Sequence, residues 1–166
     1  MTGFLFSLAF WLAAPVWLLM ILAPRHRLTV RVAASPLTVV PVLAVYTALA
    51  APVLPELWTA VSDPDIDTFR DLTALADGAG AVWAQVIAWD LLIGQWMYRE
   101  AMRLEIHPLV TGPLLVFTIL FSPFGLLLFL GLRALRNRRT RRSGEAPAEA
   151  PTAAPQASAT GEGART

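Results

Sequence analysis

The chain has 166 residues, 56% of them hydrophobic and only 15% charged, with a formal net charge of +1. A soluble domain carries about 25% charged residues, so this deficit, together with long uncharged runs, selects the membrane class. The absence of cysteine excludes disulfides, thiolate nucleophiles, iron–sulfur clusters and cysteine-ligated zinc, and the near-neutral balance argues for no nucleic-acid partner.

Taken in order, the first element is an apolar run over Gly3–Ala23. It has no basic n-region, and at about 20 residues it exceeds the ~7–15 of a signal h-region, so it reads as a retained span. At ~1.5 Å per residue it covers roughly 31 Å, the thickness of a bilayer core. Pro15 is a candidate kink, and Pro24 ends the helix ahead of Arg25, His26, Arg27 and Arg31. A second span is expected over Val32–Val53, rich in alanine, suited to close helix packing and bent at Pro36 and Pro41. Residues Leu54–Ala79 read as the longest loop. It is acidic, with Glu56, Asp63, Asp65, Asp67, Asp71 and Asp77 against Arg70, and it holds a short amphipathic helix over Asp67–Ala76. The third span is Gly80–Tyr98, followed by a short loop with Arg99, Glu100, Arg103, Glu105 and His107. The fourth is Pro108–Leu132, long for one perpendicular helix and expected to tilt or to kink at Ser122-Pro123-Phe124-Gly125.

The expected fold is thus all-α: an integral membrane bundle of about four transmembrane helices over residues 1–135, with spans near 3–23, 32–53, 80–98 and 108–132, in contact with the lipid bilayer. Residues 136–166 read as an Arg-rich, then Ala/Pro-rich disordered tail. The positive-inside rule conflicts with itself on this plan. Four passes put the tail arginines opposite the two short basic loops, and each group asks to be cytoplasmic. The larger tail cluster favours an inside tail, and a re-entrant element would remove the conflict.

The third span carries the chemistry. Asp90 lies near its middle, where a charge costs several kcal/mol and marks a functional position by default. On a helical wheel Trp83, Asp90, Gly94 and Met97 share one face, and Gln85, Trp89, Leu92 and Trp96 another, roughly 140° away. Gly94, one turn after Asp90, lets a helix or ligand approach closely. Gln85, Trp89, Gly94, Trp96 and Tyr98 are the candidate ligand-lining residues, with the tryptophans a flat wall for an apolar molecule. A second reading makes Asp90 an interhelical hydrogen-bond partner, to Tyr46, Thr38 or an arginine near a helix end. His26 and His107 lack metal-ligand spacing, and His107 beside Pro108 reads as an interfacial cap. No metal or cofactor is expected.

Several pieces, in order and at matching intervals, form a pattern: Phe6-Ser7-Leu8-Ala9 with Pro15, Trp17 and Leu18-Leu19-Met20; Ala84 with Ala88-Trp89-Asp90-Leu91; Gly94, Trp96 and Tyr98-Arg99-Glu100; Pro123-Phe124-Gly125-Leu126 and Arg133. Over roughly Phe4–Leu135 the chain resembles the ABA4-like family of small membrane proteins, named for a plant plastid protein required for making the carotenoid neoxanthin. The resemblance implies action on a carotenoid or another isoprenoid lipid, by isomerase-type acid–base chemistry needing no redox cofactor. It makes Asp90 the first catalytic candidate and Glu100 a second. The chain departs from the family at Gln85, where histidine is usual. Without a plastid transit segment ahead of the first span, the expected location is a bacterial inner membrane, multi-pass. The alternatives are a non-catalytic membrane partner or scaffold, with Asp90 a structural contact, and proton-coupled transport through Asp90.

Overall fold

The computed structural model describes residues 1–144, and residues 145–166, where most of the disordered tail was expected, lie outside the described part. The described residues are helical, with no strand among them. Helix α1 spans Thr2–Leu22 and runs through Pro15 without a break. Helix α2, Arg27–Ala34, is separate because Pro36 holds Ser35 in extended backbone (φ −95°, ψ 116°). The next run is continuous from Pro36 to Ser62. It passes through a 3₁₀ turn, α3 (Val40–Ala50), a second 3₁₀ turn and α4 (Leu54–Ser62). Pro36, Pro41, Pro52 and Pro55 fall at the first positions of these segments, where a missing N–H costs nothing.

The stretch read as a long loop is therefore largely helical. α4 continues the second run, and α5 forms over Ile66–Ala74, where the short amphipathic helix was expected. Asp65 caps α5, its carboxylate accepting from the N–H groups of Asp67 at 2.9 Å and Thr68 at 3.4 Å. Helix α6, Ala76–Arg103, is the longest, at 28 residues. Two runs, Thr2–Leu22 and Pro36–Ser62, are long and apolar enough to cross a membrane.

The region expected as one fourth span is corrected by the structure. Helix α7 covers Pro108–Leu120, and α8 covers Ser122–Gly144. The two fold back on each other, so that Leu109, Val110, Pro113 and Phe117 of α7 share a groove with Leu128 and Leu132 of α8. A straight helix would hold residues 110 and 132 about 33 Å apart. The reversal is local. Phe121 leaves helical backbone (φ −139°, ψ 63°), and Pro123 supplies no N–H to continue the α7 ladder. Gly125 then lies so close to α7 that an added Cβ would stand 2.2 Å from Thr118 Oγ1. α8 also continues to Gly144, so Arg133, Arg136 and Arg138 stand on a helix rather than in a tail.

α6 is the axis of the molecule. α1 and α3 pack along it, and the α7–α8 hairpin packs against its C-terminal half. The core between α1, α3 and α6 uses Ala9, Ala13, Val42, Ala81, Ala84 and Ala88, small residues that let backbones approach. The outer surface exposes Phe4, Leu18, Leu22, Leu37, Leu43, Trp89, Phe124 and Leu127. So many exposed large apolar side chains suit lipid rather than water.

Candidate functional site

α6 carries Asp90 to the level where the α7–α8 hairpin turns. Asp90 is buried, at 9% exposure, and its side chain faces that of Ser122, the first residue of α8. The two line a cavity of about 330 Å³ with Trp83, Ile87, Ile119 and Phe124. Trp83 is held by stacking on Phe6 of α1, with ring centroids 5.0 Å apart and an interplanar angle of 14°. Its indole N–H is buried with no acceptor among the described residues. An orphaned donor of that kind costs about 1–3 kcal/mol, which an oxygen atom on a ligand would relieve. The site therefore combines a carboxyl and a hydroxyl at the edge of an apolar recess, with the unpaired Trp83 N–H buried in the wall behind it.

The other sequence-predicted residues fall into separate places. Trp89 and Trp96 line an outward-facing apolar groove of about 390 Å³ with Leu92, Ile93, Leu126 and Leu130. The groove is distinct from the Asp90 cavity, as the two wheel faces imply. Trp96 meets Phe129 edge-on at 5.5 Å, and the Arg133 guanidinium lies 5.8 Å over its ring. Gln85 is exposed. Gly94 is buried against α1, where an added Cβ would come within 2.2 Å of Trp17 Cη2; the close approach it permits is that of a helix. Tyr98 is buried, and its hydroxyl donates to the Pro24 carbonyl.

Glu100 lies about 15 Å along α6 from Asp90 at ~1.5 Å per residue. Its carboxylate accepts from Arg103 Nε and Nη2, each at 2.7 Å, and from Arg133 Nε at 2.5 Å. The hydrogen bond from Arg103 first, then that from Arg133, holds the Glu100 carboxyl at about 2, below its ordinary 4.5. Ionised and doubly paired, it ties the end of α6 to α8. Thr38 pairs with buried Gln95 rather than with Asp90. His26 and His107 cap helices, each Nδ1 accepting a backbone N–H at 3.2 Å, from Leu28 and Leu109 respectively. Ser122 and the Trp83 N–H were missed from sequence. The only signal for Ser122 was its place in the Ser-Pro break, which reads as a kink until the hairpin brings it to Asp90.

The fold and site define a helical protein with two runs long and apolar enough to cross a membrane and a buried carboxylate facing the tip of a helical hairpin. Residues 4–129 match the model of the ABA4-like (ABA DEFICIENT 4-like) family, and the chain belongs to that family. No curated protein and no solved structure matches it.

Proposed function

We propose that the protein is a multi-pass membrane protein that acts on an isoprenoid lipid of the carotenoid class, with Asp90 as the proton-transferring group. In this reading α1, the Pro36–Ser62 run and α6 each cross the bilayer, and α7–α8 is a re-entrant hairpin entering from one side. The expected location is the cell membrane of a bacterium. Asp90 then lies about 15 Å beneath the Glu100 level, half of a ~30 Å hydrocarbon core. Irregular backbone at that depth is tolerated where it lines a cavity; residues 121–124 line the Asp90 recess, which supports the reading.

The observation that carries this reading is the Asp90–Ser122 pair in a recess whose remaining wall is apolar. A carboxylic acid there can donate its proton to an epoxide oxygen or an alkene carbon. The carboxylate left behind can take a proton from a neighbouring carbon of the same substrate. With an epoxide, an O–H bond and a C=C bond form while a C–O bond and a C–H bond break; with an alkene, one C–H bond forms, another breaks and the double bond shifts, so the substrate is isomerised and neither oxidised nor reduced. On this reading Ser122 orients the carboxyl. The family membership supports the carotenoid or isoprenoid class. Glu100, ionised and paired, acts on this reading as a latch rather than as an acid.

The test is complementation of a deletion strain, read by the pigment and isoprenoid profile of its membranes. Deletion should alter the profile and the native chain restore it. Asp90→Asn keeps the size and hydrogen bonding but cannot titrate, and should lower turnover about 10²–10⁴-fold. Full restoration by Asp90→Asn would remove the acid–base role. The outward Trp89–Trp96 groove favours a second reading, a scaffold that seats an apolar partner on that face. Under it, Trp89→Ala would abolish complementation while Asp90→Asn would not.

A further inference from the structure

The hairpin changes which ends of the molecule the charges occupy. α1 ends near the C-terminal part of α6, because the Tyr98 hydroxyl donates to the carbonyl of Pro24 just beyond α1. Arg25 shares a recess of about 360 Å³ with Met102, Glu105, Ile106 and Pro108. α8 returns to the same level, where Arg133 meets Glu100 at 2.5 Å. The three basic segments, with Arg25, Arg27 and Arg31, Arg99 and Arg103, and Arg133, Arg136 and Arg138, therefore all lie at one end. Among the described residues the acids at that end are Glu100, which is ion-paired, and Glu105. The opposite end is acidic. Thr2 Oγ1 donates to Asp77 at 2.5 Å, which places the N-terminus beside the segment bearing Glu56, Asp63, Asp65, Asp67 and Asp71, where Arg70 pairs with Asp67 at 2.8 Å.

We infer that this arginine cap faces the cytoplasm and seats on the anionic headgroups of the inner leaflet, with the N-terminus and the acidic helices outside. The inference rests on the multi-pass reading proposed above. Arginine-rich segments are retained on the cytoplasmic side, and each arginine near an anionic leaflet adds a favourable term that falls off within a Debye length. With the hairpin re-entrant, the loop and tail arginines no longer compete, since one orientation satisfies both. The Asp90 cavity then lies at mid-depth, with the α7–α8 hairpin between it and the cytoplasmic surface.

The chain has no cysteine, so single cysteines can be placed at exposed positions and labelled with a membrane-impermeant maleimide. Leu28→Cys and Asn137→Cys at the basic end should label only in permeabilised cells, and Ser62→Cys at the acidic end should label in intact cells. Labelling of Leu28→Cys or Asn137→Cys in intact cells overturns the orientation. Release of the native chain by alkaline carbonate overturns the multi-pass reading itself, and is seen independently of the labels. For the leaflet contact, the native chain is reconstituted in phosphatidylcholine vesicles containing dansyl-labelled phosphatidylglycerol or dansyl-labelled phosphatidylcholine. Energy transfer from tryptophan should be greater to the anionic probe. The excess should shrink with salt and fall with each arginine removed, as in Arg27→Gln, Arg31→Gln and Arg138→Gln. Equal transfer to the two probes overturns the headgroup contact.

Discussion

Asp90 and Glu100 show how two carboxylates on one helix come to differ. Asp90 meets a neutral hydroxyl in an apolar recess, while Glu100 meets two guanidiniums. On the proposed reading the first environment leaves a group to exchange a proton with a ligand, while the second fixes a charge. The Ser122 contact can be tested apart from the acid. Ser122→Ala removes the hydroxyl without adding bulk, so complementation should weaken but survive, by roughly fivefold if one contact of ~1 kcal/mol orients the carboxyl. Gly94 offers a structural control. An alanine there drives a methyl into the buried Trp17 ring, and overpacking of this kind costs about 1–3 kcal/mol. Gly94→Ala should therefore lower the thermal midpoint in detergent while leaving the Asp90 chemistry of the surviving folded fraction intact. The wheel separated Asp90 from the tryptophan stripe correctly, because both lie on one rigid helix. It could not identify Asp90's partner, because Ser122 comes from a different element.

Among the elements, the α7–α8 hairpin has two fastenings, one at its tip and one at its base. At the tip Gly125 touches Thr118. Gly125→Ala should spread the two helices, cost about 1–3 kcal/mol and reduce Asp90-dependent activity, since Ser122 moves with the turn. Thermal unfolding and complementation report the two effects. At the base Glu100 joins Arg103 and Arg133. Its carboxyl is held at about 2 against an ordinary 4.5, so the native state favours the ionised form. That stabilisation is fully present above pH ~4.5 and is lost as pH falls through ~2. Glu100→Gln should cost about 1–2 kcal/mol near neutrality, less than a fully buried pair because Arg103 and Arg133 are partly exposed. The difference in unfolding midpoint between the native chain and Glu100→Gln should narrow as pH is lowered through that window. A difference that does not vary between pH 5 and pH 2 would remove Glu100 from the latch.

For the whole molecule, α6 is shared by two packing units, with α1 and α3 along one side and the hairpin along the other. The arrangement sets the depth of the site and the polarity of the ends together. Both follow from where the chain reverses at Phe121. If 108–132 were one uninterrupted pass, Arg133 and Glu100 would lie on opposite sides of the bilayer and could not pair. The 2.5 Å contact between them is thus a statement about the overall path of the chain.

By itself the sequence determined the all-helical class, the first apolar run, the short helix near 66–74, the weak point at Ser122-Pro123, the histidine cap ahead of α7 and the family. These depend on local properties: run length, periodicity, capping residues and proline placement. The packing of separate elements alone makes the weak point a full reversal, sets Trp17 against Gly94, pairs Thr38 with Gln95 and brings Ser122 to Asp90, whereas Trp83 already shared the Asp90 face on the wheel. Hydropathy measures how many apolar residues follow one another, not the direction the chain takes after a break. A kinked span and a folded hairpin share the same composition. The difference lies in whether Gly125 can close on Thr118 and Arg133 on Glu100, contacts between residues that no local pattern connects.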